Sequence, residues 1–90
     1  MARFELLDGD FGTALGLAAP MGETLFAMGL RYASGRDGDT DLVSAHMYFN
    51  LADQMGAEEA SVHRQDVAAM MTKAEIGRAL RLAREWLARN

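Results

Sequence analysis

The chain has 90 residues, of which 50% are hydrophobic and 24% charged, and it contains no cysteine. This length allows one domain, and the composition is that of a globular chain and not of a disordered one. The lack of cysteine excludes a disulfide framework and thiolate metal sites, and no apolar stretch reaches the roughly 20 residues of a membrane-spanning helix.

The formal net charge of −4 is unevenly distributed along the chain. Residues 1–72 hold four Arg against eleven Asp or Glu, a net charge of −7, and residues 73–90 hold five Lys or Arg against two Glu, a net charge of +3. A basic C-terminal helix on an acidic body offers a charged surface for a partner to bind. A solvated helix face is the simpler explanation of this charge distribution. The first ten residues lack the pattern of a signal peptide, so we expect a cytoplasmic location.

Residues 1–22 form the least regular part of the sequence. Gly9, Gly12, Gly16 and Pro20 interrupt any helical or strand pattern. The apolar residues between them predict a segment that folds back on the core as a cap or serves as a docking arm on another protein. Residues 23–90 then form the helical domain.

A first helix is predicted over residues 23–34, where Leu25, Met28 and Tyr32 recur at helical spacing. Gly29 costs such a helix about 1 kcal/mol relative to alanine, which is tolerable where another helix packs closely against it. Gly35 is placed to end the helix.

A second helix is predicted over residues 40–55, with Asp39, Thr40 or Asp41 as its cap. Its polar arc includes His46, which we expect to face solvent. Val43 and Met47 fall on the flank of the main apolar face and are expected to tolerate a charge. The face itself holds Leu42, Ala45, Tyr48, Phe49, Ala52 and Met55. This apolar arc is wider than a single neighbouring helix would need.

A third helix is predicted over residues 58–71, with two acidic residues in its first turn and an inner face of Ala60, Val67 and Met71. Arg64 falls on the same stripe. It either extends its stem along the core with its guanidinium in solvent, which we favour, or pairs with a buried acid.

A fourth helix is predicted over residues 73–88, and it has the clearest helical period in the chain. Thr72 and Glu75 have the spacing of a capping box. Arg78 and Arg81 face away from an apolar stripe formed by Ile76, Ala79, Leu80, Ala83, Trp86 and Leu87.

The stretch from Leu25 to Ala60 resembles a Sel-one-like repeat, a relative of the tetratricopeptide repeat. The matching residues are Met28, Gly29, Tyr32, Gly35, Asp41, Ala45, Tyr48, Phe49, Ala52, Gly56 and Ala60. Residues after Ala60 resemble a second, degenerate unit. The resemblance implies an all-α fold of antiparallel helical hairpins, stacked as a short α-solenoid, and a non-enzymatic function as an adaptor or small accessory subunit.

Repeat arrays usually need about three units to bury a continuous core, and this chain has fewer. Its end faces should therefore stay partly apolar unless another protein, a larger complex or a second copy covers them. The predicted contact surface combines Tyr32, Val43, Met47, Tyr48 and Trp86.

Signals for chemistry are weak. Asp37, Asp39 and Asp41 are spaced like the start of a calcium loop, but the glycine and glutamate that such a loop needs further along are missing. His46 and His63 fall on different helices without metal-ligand spacing. We therefore predict no catalytic residues, no metal and no cofactor.

The alternative is a nucleic-acid-associated regulator that uses the basic last helix, with Arg78 and Arg81 on its exposed side. The acidic balance of the whole chain, with a pI near 5.0, argues against it because nucleic-acid-binding domains usually show a broad basic footprint.

Overall fold

The structure is a computed structural model that describes residues 18–36 and 38–90. The fold of these residues is all-α. The four helices are α1 (Ala18–Ser34), α2 (Leu42–Gln54), α3 (Ala60–Ala68) and α4 (Lys73–Arg89). The predicted class and the four main helices are confirmed. The predicted role of the N-terminal segment falls almost wholly outside the described residues.

The bounds of α1 and α3 differ most from the prediction, and those of α2 and α4 differ by one or two residues. Helix α1 begins five residues earlier, since Pro20 lies in its first turn, where the missing N–H has no intrahelical partner to lose. Helix α3 is shorter than predicted, with nine residues, so that Glu58 and Glu59 precede it and do not occupy its first turn.

The connection between α1 and α2 follows the local signals of the sequence. Gly35 takes a left-handed conformation with φ of 70° and donates its N–H to the carbonyl oxygen of Arg31 at 3.1 Å. Asp41 caps α2, where its carboxylate accepts hydrogen bonds from the backbone N–H of Ser44 at 3.0 Å and the Ser44 hydroxyl at 2.8 Å.

Helix α4 begins with the predicted capping box. The Thr72 hydroxyl accepts the backbone N–H of Glu75 at 3.1 Å, and the Glu75 carboxylate accepts the backbone N–H of Thr72 at 2.8 Å. Both bonds satisfy N–H groups that would otherwise be orphaned at the helix start.

Helix α2 is central and packs against each of the other three helices. It runs antiparallel to α1, because Gly22 near the start of α1 lies against Met55 just after α2, and Gly29 lies against Phe49 in the middle of α2. A Cβ atom at Gly29 would lie 2.5 Å from the Phe49 ring, so the predicted close approach at this glycine is confirmed.

The remaining two helices lie along α2 in opposite directions. Helix α3 is antiparallel to α2, since Arg64 contacts Asp53 and the later Val67 packs against the earlier Phe49. Helix α4 is parallel to α2: its first turns share a surface depression with Val43, and its later residue Ala83 packs in one cluster with Ala52.

Two apolar clusters form the core, the first towards the end of α2 and the second towards its start. The first contains the buried residues Leu25, Leu51, Ala52, Ala60 and Ala83. The second contains Ala45, Phe49 and Val67, with Phe26, Leu30, Ala33, Leu42 and Met71 packed around them. None of the described helices is both long enough and apolar enough to cross a membrane.

Because three helices surround α2, residues outside its main apolar face are covered as well. Val43 is 8% exposed and His46 only 4% exposed. The predictions that Val43 lies on a tolerant flank and that His46 faces solvent are therefore wrong. The wide apolar arc predicted for this helix does agree with its having several neighbours.

Candidate interaction surface

Two tyrosines from neighbouring helices stack at the surface of the α1–α2 pair. The rings of Tyr32 on α1 and Tyr48 on α2 have centroids 5.6 Å apart and planes inclined by 8°. Tyr32 is 38% exposed, whereas Tyr48 is half-buried. Stacked rings gain some stability beyond their area burial, so the pair presents a pre-ordered aromatic surface.

The turn between the two helices fixes this pair. The backbone N–H of Asp41 donates to the carbonyl oxygen of Tyr32 at 3.0 Å, which joins the last turn of α1 directly to the cap of α2. A Cβ atom at Gly35 would lie 2.8 Å from the Thr40 hydroxyl, so only glycine fits this left-handed turn without strain.

A shallow groove of about 390 Å³ adjoins the pair and is lined by Met28, Arg31, Tyr32, Gly38 and Asp39. Met21, which is 40% exposed, and the half-buried Met28 lie on the same side of α1 as Tyr32. Met21 precedes Met28 by seven residues, and Met28 precedes Tyr32 by four. We call Met21, Met28, Tyr32 and Tyr48 the aromatic face. It combines adaptable thioethers with rigid rings.

The Tyr48 hydroxyl is neutral at physiological pH. Burial raises the pKa of Tyr48, and the neighbouring Tyr32 raises this pKa further. Tyr48 therefore offers a partner a hydrogen-bonding hydroxyl and not an anion.

The other three residues of the predicted contact surface differ in how deeply they are buried. Met47 and Trp86 are half-buried and pack, like Tyr48, against the first core cluster. Val43 is buried, with 8% of its surface exposed, and so offers almost no surface for a contact. A charge at Val43, predicted to leave folding intact, is now expected to destabilise the protein.

Arg64 pairs with a partly exposed acid, which matches neither of its predicted roles, a guanidinium in solvent or a pair with a buried acid. Its guanidinium donates to Asp53 at 3.1 Å and to the side-chain oxygen of Asn50 at 3.3 Å. The two charged side chains remain 27% and 38% exposed, so the pair is worth no more than about 1 kcal/mol.

The two histidines both lie against the packed helices. His63 makes an edge-on contact with Phe26 at 5.0 Å and a tilted contact with Phe49 at 5.5 Å, so its ring lies on the inner side of α3. The Nδ1 atom of His46 is buried without a hydrogen-bond partner in the described residues. Burial lowers the pKa of His46, and the positive charge of Arg64 lowers it further.

The outward side of α4 forms a basic face. Arg78 and Arg81, which the sequence predicts to be exposed, are exposed in the structure. They share the solvent side of the helix with Lys73, Arg84 and Arg89, all of them exposed, and with the single acid Glu85.

Residues 18–36 and 38–90 hold no group of three or more His, Asp or Glu side chains placed to bind a metal ion. Of the three aspartates that begin like a calcium loop, Asp37 lies outside the described residues. Comparisons of the chain with protein families, with curated proteins and with solved structures found no match.

Proposed function

We propose that the chain is a non-enzymatic protein-interaction module, an adaptor or small accessory subunit, built on a Sel-one-like helical repeat. The observation that supports this proposal best is the stacked pair of Tyr32 and Tyr48 at the surface beside an open groove. The parallel course of α2 and α4 also supports it, since second helices of consecutive repeats run in the same direction in such stacks.

The composition of the aromatic face is that of a binding surface. Tyrosine and methionine are enriched at protein interfaces, and exposed aromatic rings often contribute most of the binding energy. Tyr32 and Met21 leave 38% and 40% of their surface in solvent, so both side chains are accessible to a partner.

The test is capture of partners from native lysate by the tagged chain and by two variants. Tyr32→Ser is expected to lose a stoichiometric partner, because the variant removes the exposed ring while the buried core remains. Val62→Ser, at a residue that is 58% exposed on α3 and away from the aromatic face, is the matched control and should keep the partner. A partner retained by both variants would place the contact elsewhere.

The same proposal includes a cytoplasmic location, for which the absence of cysteine is the support. Cell fractionation of the tagged chain checks it. Recovery with the membrane or secreted fraction would contradict it.

A second candidate function is association with nucleic acid through the basic face of α4, which the exposure of five cations on one helix supports. It predicts binding that weakens steeply with added salt and is lost when Arg78 and Arg81 are both replaced by glutamine. Binding that is indifferent to salt, or unchanged in this variant, would exclude it.

A further inference from the structure

The connections between the four helices differ in composition. The α1–α2 and α2–α3 connections contain Gly35 and Gly56, which have φ of 70° and 93°, a left-handed conformation that a right-handed helix excludes. Residues 69–72, between α3 and α4, contain neither glycine nor proline. We call residues 69–72 the hinge. The first two connections therefore hold a residue suited to ending a helix, and the hinge does not.

The sequence around the hinge favours a continuous helix. All residues from 68 to 75 except Thr72 are Ala, Met, Lys or Glu, which are good helix formers. Ala69 has φ of −63° and ψ of −18°, and the N–H groups of Met70 and Met71 each donate to the carbonyl oxygen three residues earlier, at 2.9 and 3.0 Å. These bonds are those of a tight helical turn, so the path of α3 continues into the hinge.

The helical path is broken at Thr72. This residue is extended, with φ of −77° and ψ of 162°, and the capping box with Glu75 holds it there through bonds of 3.1 and 2.8 Å. In a continuous helix the same two N–H groups would bond to carbonyl oxygens of the preceding turn. The bonds of the capping box would thus be replaced and not simply lost, so the closed hinge has a close competitor.

Helix α4 is attached to the rest of the chain by one close helix contact. It packs closely against α2 and not against α3, and its buried residue Ala83 lies in one cluster with Leu51 and Ala52 of α2. Opening the hinge breaks this contact alone. A continuous helix over residues 60–89 would carry the 17 residues of α4 roughly 25 Å beyond the hinge, away from the α2 of its own chain.

The surfaces exposed by opening already fit each other. They are the side of α4 that holds Ala83 and the part of α2 that holds Leu51, which pack together in the closed chain. Inside an open chain they cannot meet, whereas a second open copy supplies both. The α4 of each copy then fills the place vacated in the other, which closes a two-fold symmetric dimer.

We propose that the hinge opens into a continuous α3–α4 helix and that two copies of the chain exchange α4 to form a domain-swapped dimer. The dimer restores the contact of α4 with α2 and adds helical bonds at the hinge, against the entropy lost on association, so it forms at high concentration. The inference does not rest on the proposed function, because the groove beside Tyr32 is lined by α1 and the α1–α2 connection and is unchanged by the exchange.

Position 73 separates the closed chain from the open one. Lys73 is the first residue of α4, where proline is accepted because its N–H has no intrahelical partner, and a proline there favours the extended conformation that Thr72 already has. Within a continuous helix the same proline would remove a hydrogen bond and clash with the preceding turn. Lys73→Pro should keep the closed monomer and abolish the dimer. The matched control Lys73→Ala removes the same charge and should dimerise at least as readily as wild type.

A change at the neighbouring position should act in the opposite direction. The full chain is refolded over a range of concentrations and analysed by sedimentation velocity, and wild type is expected to be monomeric when dilute and dimeric when concentrated. Thr72→Ala removes one cap from each of two closed chains, so the dissociation constant of the dimer should fall by about tenfold or more. Adding Lys73→Pro to Thr72→Ala should return the chain to a monomer.

Nuclear magnetic resonance distinguishes exchange of α4 from any other dimer. In dimers refolded from a mixture of isotope-labelled and unlabelled chains, contacts between the methyl groups of Ala83 and Leu51 should appear between chains. A dimer in which these contacts stay within one chain would overturn the proposal. So would wild-type and Thr72→Ala chains that both remain monomeric when concentrated, or a Lys73→Pro chain that dimerises as wild type does.

Discussion

The α1–α2 pair and the α3–α4 half are assembled from similar helices but packed to different degrees. In the first pair, Gly29 lets α1 approach Phe49, and a bulky aromatic fills the space between the helices. In the second half, the nine-residue α3 and the longer α4 each lie against α2. Leu80 and Leu87 are left at 38% exposure. A regular apolar stripe therefore determines a helix but not whether a neighbouring helix covers the stripe.

The largest difference between the two halves is expected from truncating one apolar side chain in each. Phe49→Ala removes a fully buried ring between α1, α2 and α3 and is expected to cost about 3–5 kcal/mol of unfolding free energy. Leu87→Ala, on the open side of α4, should cost less than about 1 kcal/mol. Denaturant unfolding of both variants measures the contrast, and equal losses would show that Leu87 is buried in solution.

Substitution of one glycine in α1 and one in α4 also distinguishes the packing of the two halves. A Cβ atom at Gly29 would overlap the Phe49 ring at 2.5 Å, so Gly29→Ala should destabilise the protein by about 1–3 kcal/mol although alanine favours helices. Gly77 in α4 has only the end of Arg81 nearby, at 3.9 Å. Gly77→Ala should therefore stabilise by up to about 1 kcal/mol. Thermal unfolding measures both, and a stabilising Gly29→Ala would contradict the close packing of α1 on α2.

Removal of the capping box tests how far the α3–α4 half depends on hydrogen bonds between residues close in the sequence. Thr72→Ala removes the acceptor for the Glu75 N–H and is expected to cost about 1 kcal/mol, with fraying at the start of α4. Hydrogen exchange of the first turn of α4, with the α1 amides as the internal reference, checks the effect. Uniform loss of protection in α1 and α4 together would show instead that the two halves unfold as one unit.

The smallest effect is expected from pH. The folded pKa of His46 is lowered from 6.5, mainly by burial, so in mildly acid solution the unfolded chain binds a proton that the folded chain does not. The unfolding free energy should consequently fall as the pH drops below about 6.5 and towards the lower folded pKa.

The matched control for this effect is His46→Gln, which cannot titrate. Between pH 7 and pH 5 wild type should lose more stability than the variant, because the two proteins differ only in the side chain at position 46. Parallel pH profiles for the two proteins would mean that His46 is not desolvated in the folded state.

Much of the fold could be predicted because its signals are local. The capping box of Thr72 and Glu75, the left-handed turn at Gly35 and the cap at Asp41 each depend on residues a few positions apart. The close approach at Gly29 and the places of Tyr32 and Tyr48 on their helices could be predicted from the sequence. Their stacking and partial exposure could not, since both depend on how the two helices face each other.

Local sequence patterns were enough to predict the four helical segments and an apolar arc on α2 too wide for one neighbour. What covers that arc depends on how the helices pack, which no pattern within a single helix describes. Three helices surround α2, so Val43 and His46 are buried although helical periodicity places them off the main apolar face. Periodicity describes one helix and its nearest neighbour, whereas burial is the sum over all the helices packed around it.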